Sequence, residues 1–158
     1  MSGIYTLTFD KVSVTAVQDL FAIVAHASKQ CVLLGFEIGV AGVAADAGDA
    51  QEEMLALRIR SGQTTAGSGG SAPTPVPVDA SLAAAGFTAR VNDTTQASAG
   101  TIVTHWTGAI NNRVGIDKPL TDGQQIIFGA GRRLTIELID APTDALTVSG
   151  TAWVQEIG

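Results

Sequence analysis

A single cysteine, Cys31, excludes an intrachain disulfide. It stands beside Val32-Leu33-Leu34, where it is expected to act as a small buried hydrophobe. Histidine is nearly absent as well: only His26 and His105 occur, and neither has an acidic or cysteine neighbour at metal-ligand spacing. A cupin-type metalloenzyme would need several histidines and a glutamate on neighbouring strands, so that class is disfavoured. There is no Gly-x-Ser-x-Gly turn to expose a nucleophile. Gly67-Ser68-Gly69-Gly70-Ser71 is rich in backbone N–H groups, but no Gly-Lys-Ser/Thr follows, so it is not a phosphate-binding P-loop. Aromatic residues make up only 5% of the chain, a thin supply for the stacking platforms of a carbohydrate-binding module. Charged residues make up only 15%, with a net charge of −6, and an acidic chain is repelled by phosphates, so no direct nucleic-acid binding is expected. The nearest thing to a basic run, Arg132-Arg133, reads as two solvated charges flanking a strand. No stretch approaches the ~18 apolar residues of a membrane span, and Met1 to Tyr5 lacks the basic-then-apolar order of a signal peptide. The chain is therefore expected to fold in a reducing cytoplasm.

What the chain does have is apolar and neutral residues. The apolar fraction is 46% over 158 residues, which favours one ordered domain over residues 1–158. With so few charges, much of the surface must be Thr, Ser, Gly, Ala and Gln. Such surfaces are common where a protein packs against copies of itself or a partner.

The best-specified element is Glu53 to Arg60. Leu55, Leu57 and Ile59 alternate with Met54, Ala56, Arg58 and Arg60, the period-2 signature of a half-buried strand. From Gly62 to Val78 the density of Gly and Pro predicts a long flexible loop, about 62–78, with no regular element. Elsewhere the alternation of Tyr5, Leu7 and Phe9, resumed by Val12, Val14 and Ala16, predicts one or two strands, with Asp10-Lys11 as a turn candidate between them. Val17–Ala25 fits either a strand or a helix face and is read as a strand. Further strands are expected at Cys31–Val40, Phe87–Val91, Thr101–Trp106, Arg113–Ile116, Gln124–Phe128, Leu134–Leu138 and Leu146–Ile157. Asp79 to Gly86 could form one or two helical turns, capped by Asp79 and ended by Gly86. About ten short strands with turn signals between them suit an all-β, two-sheet antiparallel sandwich or barrel.

Candidate contact residues come from the loop and the two tryptophans: Thr64, Ser71, Pro73, Pro75, Pro77, Trp106 and Trp153. Trp153 lies opposite the Val148-Gly150-Ala152-Val154 face, which would turn it outward, toward a partner subunit. Asp46, Asp49, Glu52 and Glu53 form one carboxylate cluster. It lacks the alternating ligands and central glycine of a calcium loop, and reads as a solvated loop whose Glu52 or Glu53 pairs with an arginine of a neighbouring strand. No catalytic, cofactor or metal residues are assigned, and no enzymatic activity is expected.

Several stretches look alike when set beside known proteins. They are Thr15–Phe21, Gly48–Leu55, Gly69–Pro75, Ala84–Ala89 and the closing Trp153-Val154-Gln155-Glu156. Together they resemble small all-β proteins from the structural gene clusters of tailed bacteriophages and prophages, nearest among them the jelly-roll capsid decoration (cement) proteins. The resemblance covers most of the chain. It implies a jelly-roll protomer, assembled in the host cytoplasm and resident in the virion. The protomer would form a homotrimer and bind the major capsid protein, or another virion protein, where capsomers meet. The alternatives are a tail or baseplate component and a carbohydrate-binding jelly roll.

Overall fold

The computed structural model describes residues 2–40 and 52–158. These residues form an all-β sandwich of two antiparallel sheets. In chain order the strands are β1 (Gly3–Val14), β2 (Gln18–Val24), β3 (Gln30–Val40), β4 (Met54–Thr65), β5 (Val76–Pro77), β6 (Thr88–Asp93), β7 (Ser98–Asn111), β8 (Ile116–Pro119), β9 (Ile126–Phe128), β10 (Arg133–Leu138) and β11 (Leu146–Ile157). The first sheet has the order β5-β1-β11-β3-β8, with β9 sharing the outer edge of β3 with β8. The second has the order β6-β2-β10-β4-β7.

Alternation places the core between the sheets. Tyr5, Leu7 and Phe9 of β1 face it, as do Leu55, Leu57 and Ile59 of β4 and Leu134, Ile136 and Leu138 of β10. Aromatic pairs span the two layers. Phe9 of β1 meets Phe21 of β2 at 5.1 Å between ring centroids, and Phe36 of β3 meets the edge of Trp106 of β7 at 5.9 Å. Gly150 of β11 makes room for the first pair, because a methyl group there would lie 2.7 Å from the Phe9 ring.

Bulges account for the places where alternation misleads. Asp10-Lys11 is not a turn between two strands. β1 runs through it, with one extra residue between the pairs Phe9↔Gly150 and Val12↔Val148. Lys11 takes φ 50°, its N–H donates to Ser149 Oγ at 2.9 Å, and Ser149 Oγ donates to Asp10 Oδ1 at 2.7 Å. The bulge shifts the inward phase from Phe9 to Val12 and Val14. In β2 an extra residue between the pairs Phe21↔Ile136 and Asp19↔Glu137 does the same. All residues from Gln18 to Ile23 are buried, on both faces, which is why the segment carries no clean period.

Two further expectations are corrected. The first is that no regular element survives past Gly62. β4 continues to Thr65, with Gly62 at φ 95° absorbing an irregularity between Ser61 and Gln63. The chain beyond is anchored at intervals. Ser68 bridges Thr95, Ser71 exchanges two backbone bonds with Val91 of β6, and Val76–Pro77 pair with Thr6 and Tyr5 of β1. Single-residue pairings replace a continuous ladder, so composition alone did not betray them. The second correction concerns Asp79 to Gly86, which forms no helix. Asp79 Oδ1 accepts from both the N–H and the hydroxyl of Ser81, closing a side-chain-to-backbone turn. The same bonds hold the Asp79 carboxyl below its ordinary range.

Leu57 has no exposed surface, so Leu57→Ala is expected to cost roughly 2–5 kcal/mol in urea denaturation. Gly70 lies directly on β6, and a Cβ there would come within 2.0 Å of the Val91 carbonyl oxygen. Gly70→Ala is therefore expected to destabilise by about 1–3 kcal/mol. An unchanged melting temperature would mean that the loop is not held against the sheet.

Candidate interaction site

The expected contact residues are spread along the molecule rather than gathered. Thr64 lies at the end of β4, lining a hollow of about 350 Å³ with Arg132 and Arg133. Arg133 reaches across to donate to the Gln63 carbonyl at 3.2 Å, so it is more than a solvated charge. Ser71 stands on the free edge of β6, and Pro77 on the free edge of β1 beyond half-buried Pro73 and Pro75. The loop thus runs from the second sheet, over the β6 edge, to the first sheet.

The two tryptophans occupy opposite environments. Trp106 is on the core side of β7, half-buried at the open edge between the sheets. Trp153 is on the outer face of β11, as its phase predicted. It lines a groove of about 440 Å³ with Ile4, Leu34, Val78 and Pro119, and Asp117 also lines it. Ile4 and Val78 are exposed by 38% and 62%, so the groove is an apolar patch on the surface and not a satellite of the core. Sequence reasoning missed these neighbours of Trp153. Ile4 carried a usable signal: it is apolar in the outward phase of the Tyr5-Leu7-Phe9 strand. Leu34 did not, because a bulge between Trp153 and Val154 resets the register of β3 at that point.

Part of the outer face of the second sheet, across β6, β2 and β10, is polar and, unusually, buried. Glu137 of β10 has no exposed surface. It is held by Arg58 Nε at 2.5 Å and by Arg60 Nη2 at 2.9 Å, both from β4. Thr135 donates to it at 2.9 Å, and the Gln63 amide donates to Thr135. Alongside, Asp93 takes a two-pronged bond from Arg90 and accepts the Gly70 N–H at 2.9 Å. Asp19 accepts the Ala97 N–H at 2.7 Å. These carboxylates fasten the loops at Gly70 and Ala97 onto the sheet. At the opposite end, buried Glu156 accepts from Lys29 and from the Gly86 N–H, both at 3.0 Å.

Remaining candidates are quickly placed. Glu52 accepts from Asn111, and the Glu53 carboxylate accepts from the N–H and hydroxyl of Thr143, so neither pairs with an arginine as expected. Asp46 and Asp49 lie outside the described residues. Cys31 is fully buried, and burial, aided by the nearby Glu156 charge, pushes its thiol up to about 12. His26 bonds Ser28 within a turn, and His105 bonds Ser61 across β4 and β7 at 2.7 Å. Among the described residues no three of His, Cys, Asp and Glu converge at metal-binding distance, and no helix is long and apolar enough to cross a membrane. No family model matches the chain, and no curated protein matches it.

Asp19 supplies a pH test. Burial raises its carboxyl to about 7, partly offset by the Ala97 N–H and reinforced by Glu137 of β10 and Asp93 of β6, with Arg60 of β4 opposing. Its folded-state value exceeds its unfolded one. The stability it contributes is therefore full below about pH 4 and lost as pH rises through about 7. The chain is expected to be more resistant to urea at about pH 5 than at about pH 8, by up to a few kcal/mol. Asp19→Asn keeps an acceptor for Ala97 and should flatten that slope; an unchanged slope in the variant would assign it to other groups.

Proposed function

We propose that this chain is a non-enzymatic virion structural protein, a capsid decoration or cement protein that stabilises a phage head as a homo-oligomer. The strand order is the observation that best supports this reading. Setting aside β5 and β6, which are inserted between β4 and β7, the eight remaining strand positions run β1-β11-β3-β8 in one sheet. In the other they run β2-β10-β4-β7. Chain-consecutive strands alternate between sheets, except that β4 and β7 share one and β9 lies beside β8. This is the order expected of a jelly roll, two Greek keys folded together, an architecture shared by viral capsid proteins, lectins and cupins. The inserted β5 and β6 each extend an outer edge, beside β1 and β2.

The surface agrees with a protein that works by contact. Ile4, Val78 and Trp153 form an apolar groove on the outer face of the first sheet, and that face is assigned to the contact between copies of the chain. Repetition of that contact around an axis gives the homotrimer that the resemblance implies. Many copies on one particle allow modest individual contacts to hold a shell, because each bound copy raises the effective concentration of the next contact. Partners are other copies of the chain and the major capsid protein or another virion protein.

Light scattering on the purified protein is expected to give about three times the 16.1 kDa chain mass. The protein should also co-sediment with expanded shells of the capsid protein encoded alongside it and raise their resistance to heat. Trp153→Glu should reduce the mass to that of one chain while leaving the melting transition cooperative, since the indole is on the outer face. Failure to bind shells at any stage of maturation would overturn the decoration reading. A trimer unaffected by the substitution would move the contact to another face.

A further inference from the structure

The open edge of the sandwich between β7 and the β8–β9 connection holds a crevice of about 440 Å³. It is distinct from the Trp153 groove, which is on the outer face of the first sheet. Trp106 forms its apolar wall. The indole lies beside Gly108, where a Cβ would come within 2.3 Å of the ring, so the missing side chain makes room for the ring next to its own strand. A bulge contributes too. Ile59 pairs with Trp106 and Arg60 with Thr104, leaving His105 as the extra residue. Bulges of this kind re-aim side chains.

Lys118, Gln124 and Gln125 around the indole make no side-chain hydrogen bond or ion pair among the described residues. The Lys118 ammonium stands 6.0 Å from the ring centroid, at the outer limit of a cation–π contact. Among the described residues it meets no carboxylate; the ion pairs there are made by Lys29, Arg58, Arg60 and Arg90. Gln124 and Gln125, exposed just before β9, contribute two side-chain amides, each with donors and an acceptor. His105 spends its Nε2 on Ser61, which leaves the other ring nitrogen for a ligand.

We propose that this crevice binds a single acidic sugar residue, a pyranose carrying a carboxylate. An aromatic face takes the apolar C–H face of a sugar ring, and amides satisfy vicinal hydroxyls in both donor and acceptor roles. One unpaired ammonium selects for a negative charge. The volume suits one or two rings rather than an extended polymer. One cation on a chain of net charge −6 does not suit a nucleic acid strand.

The test is a titration of ¹⁵N-labelled protein with sodium glucuronate, read at the indole N–H resonance of Trp106, with glucose, acetate and adenosine monophosphate as controls. The resonance is assigned by its loss in Trp106→Phe. Glucuronate is expected to shift it saturably, glucose more weakly, and acetate not at all. Lys118→Ala, at a half-buried surface position, should weaken glucuronate binding about tenfold while leaving the Trp153 resonance in place. Gln124→Ala should weaken it a few-fold. The proposal is overturned by the absence of a saturable shift, by acetate reproducing it, or by Lys118→Ala binding as tightly as the parent. A tighter response to adenosine monophosphate than to glucuronate would replace the saccharide with a stacked base. None of these readouts depends on shell binding, so the crevice and the decoration reading fail separately.

Discussion

The buried carboxylate of Glu137 is the constraint on which the outer half of the molecule depends. A charge with no exposed surface is tolerated only when it is paired and hydrogen-bonded. Arg58, Arg60 and Thr135 do this, and in doing so they tie β4 to β10 at the middle of the second sheet. Once that charge is met, the middle of the sheet can carry polar groups that are buried rather than wet. Asp93 and Asp19 extend the arrangement sideways and hold backbone N–H groups of the overlying loops. A Gly- and Pro-rich segment is thereby pinned along the β6 and β1 edges instead of forming a free arm.

Where a strand is buried on one face only, the sequence was easy to read. Leu55-Leu57-Ile59 and the alternating run to Val154 lie as their periodicity predicts, and so do Leu134-Ile136-Leu138, although β10 is buried on both faces. Legibility failed for two physical reasons. Bulges at Lys11, near Leu20 and near Leu34 shift the phase by one residue, and no composition marks them. The second failure is the polar outer face. Asp19 and Glu137 stand in otherwise apolar strands, and nothing local marks them as buried: Arg58, Arg60 and Thr135 enclose Glu137, and the loop at Ala97 bonds Asp19. The outward position of Trp153 was legible from phase alone. Its apolar company was not, because Val78 and Pro119 arrive from segments far away in the chain.

The two tryptophans divide the molecule by role. Trp153 belongs to a mostly apolar groove in which Asp117 is the one charged lining residue, the kind of surface a protein partner would cover. Trp106 belongs to an edge crevice rich in uncommitted donors and acceptors, suited to a small polar ligand.

The last two strands of the chain are also the innermost of their sheets. β11 lies between β1 and β3, and β10 between β2 and β4. On a ribosome, β1 to β4 emerge with no partner between them, and neither sheet can close until the final strands are made. Folding must then thread two late strands into waiting gaps through contacts of high sequence separation, which makes for a slow step and a period of exposed strand edges. A truncation removing β11 would therefore leave two unpaired central edges rather than a slightly smaller sandwich, and its expected fate is aggregation.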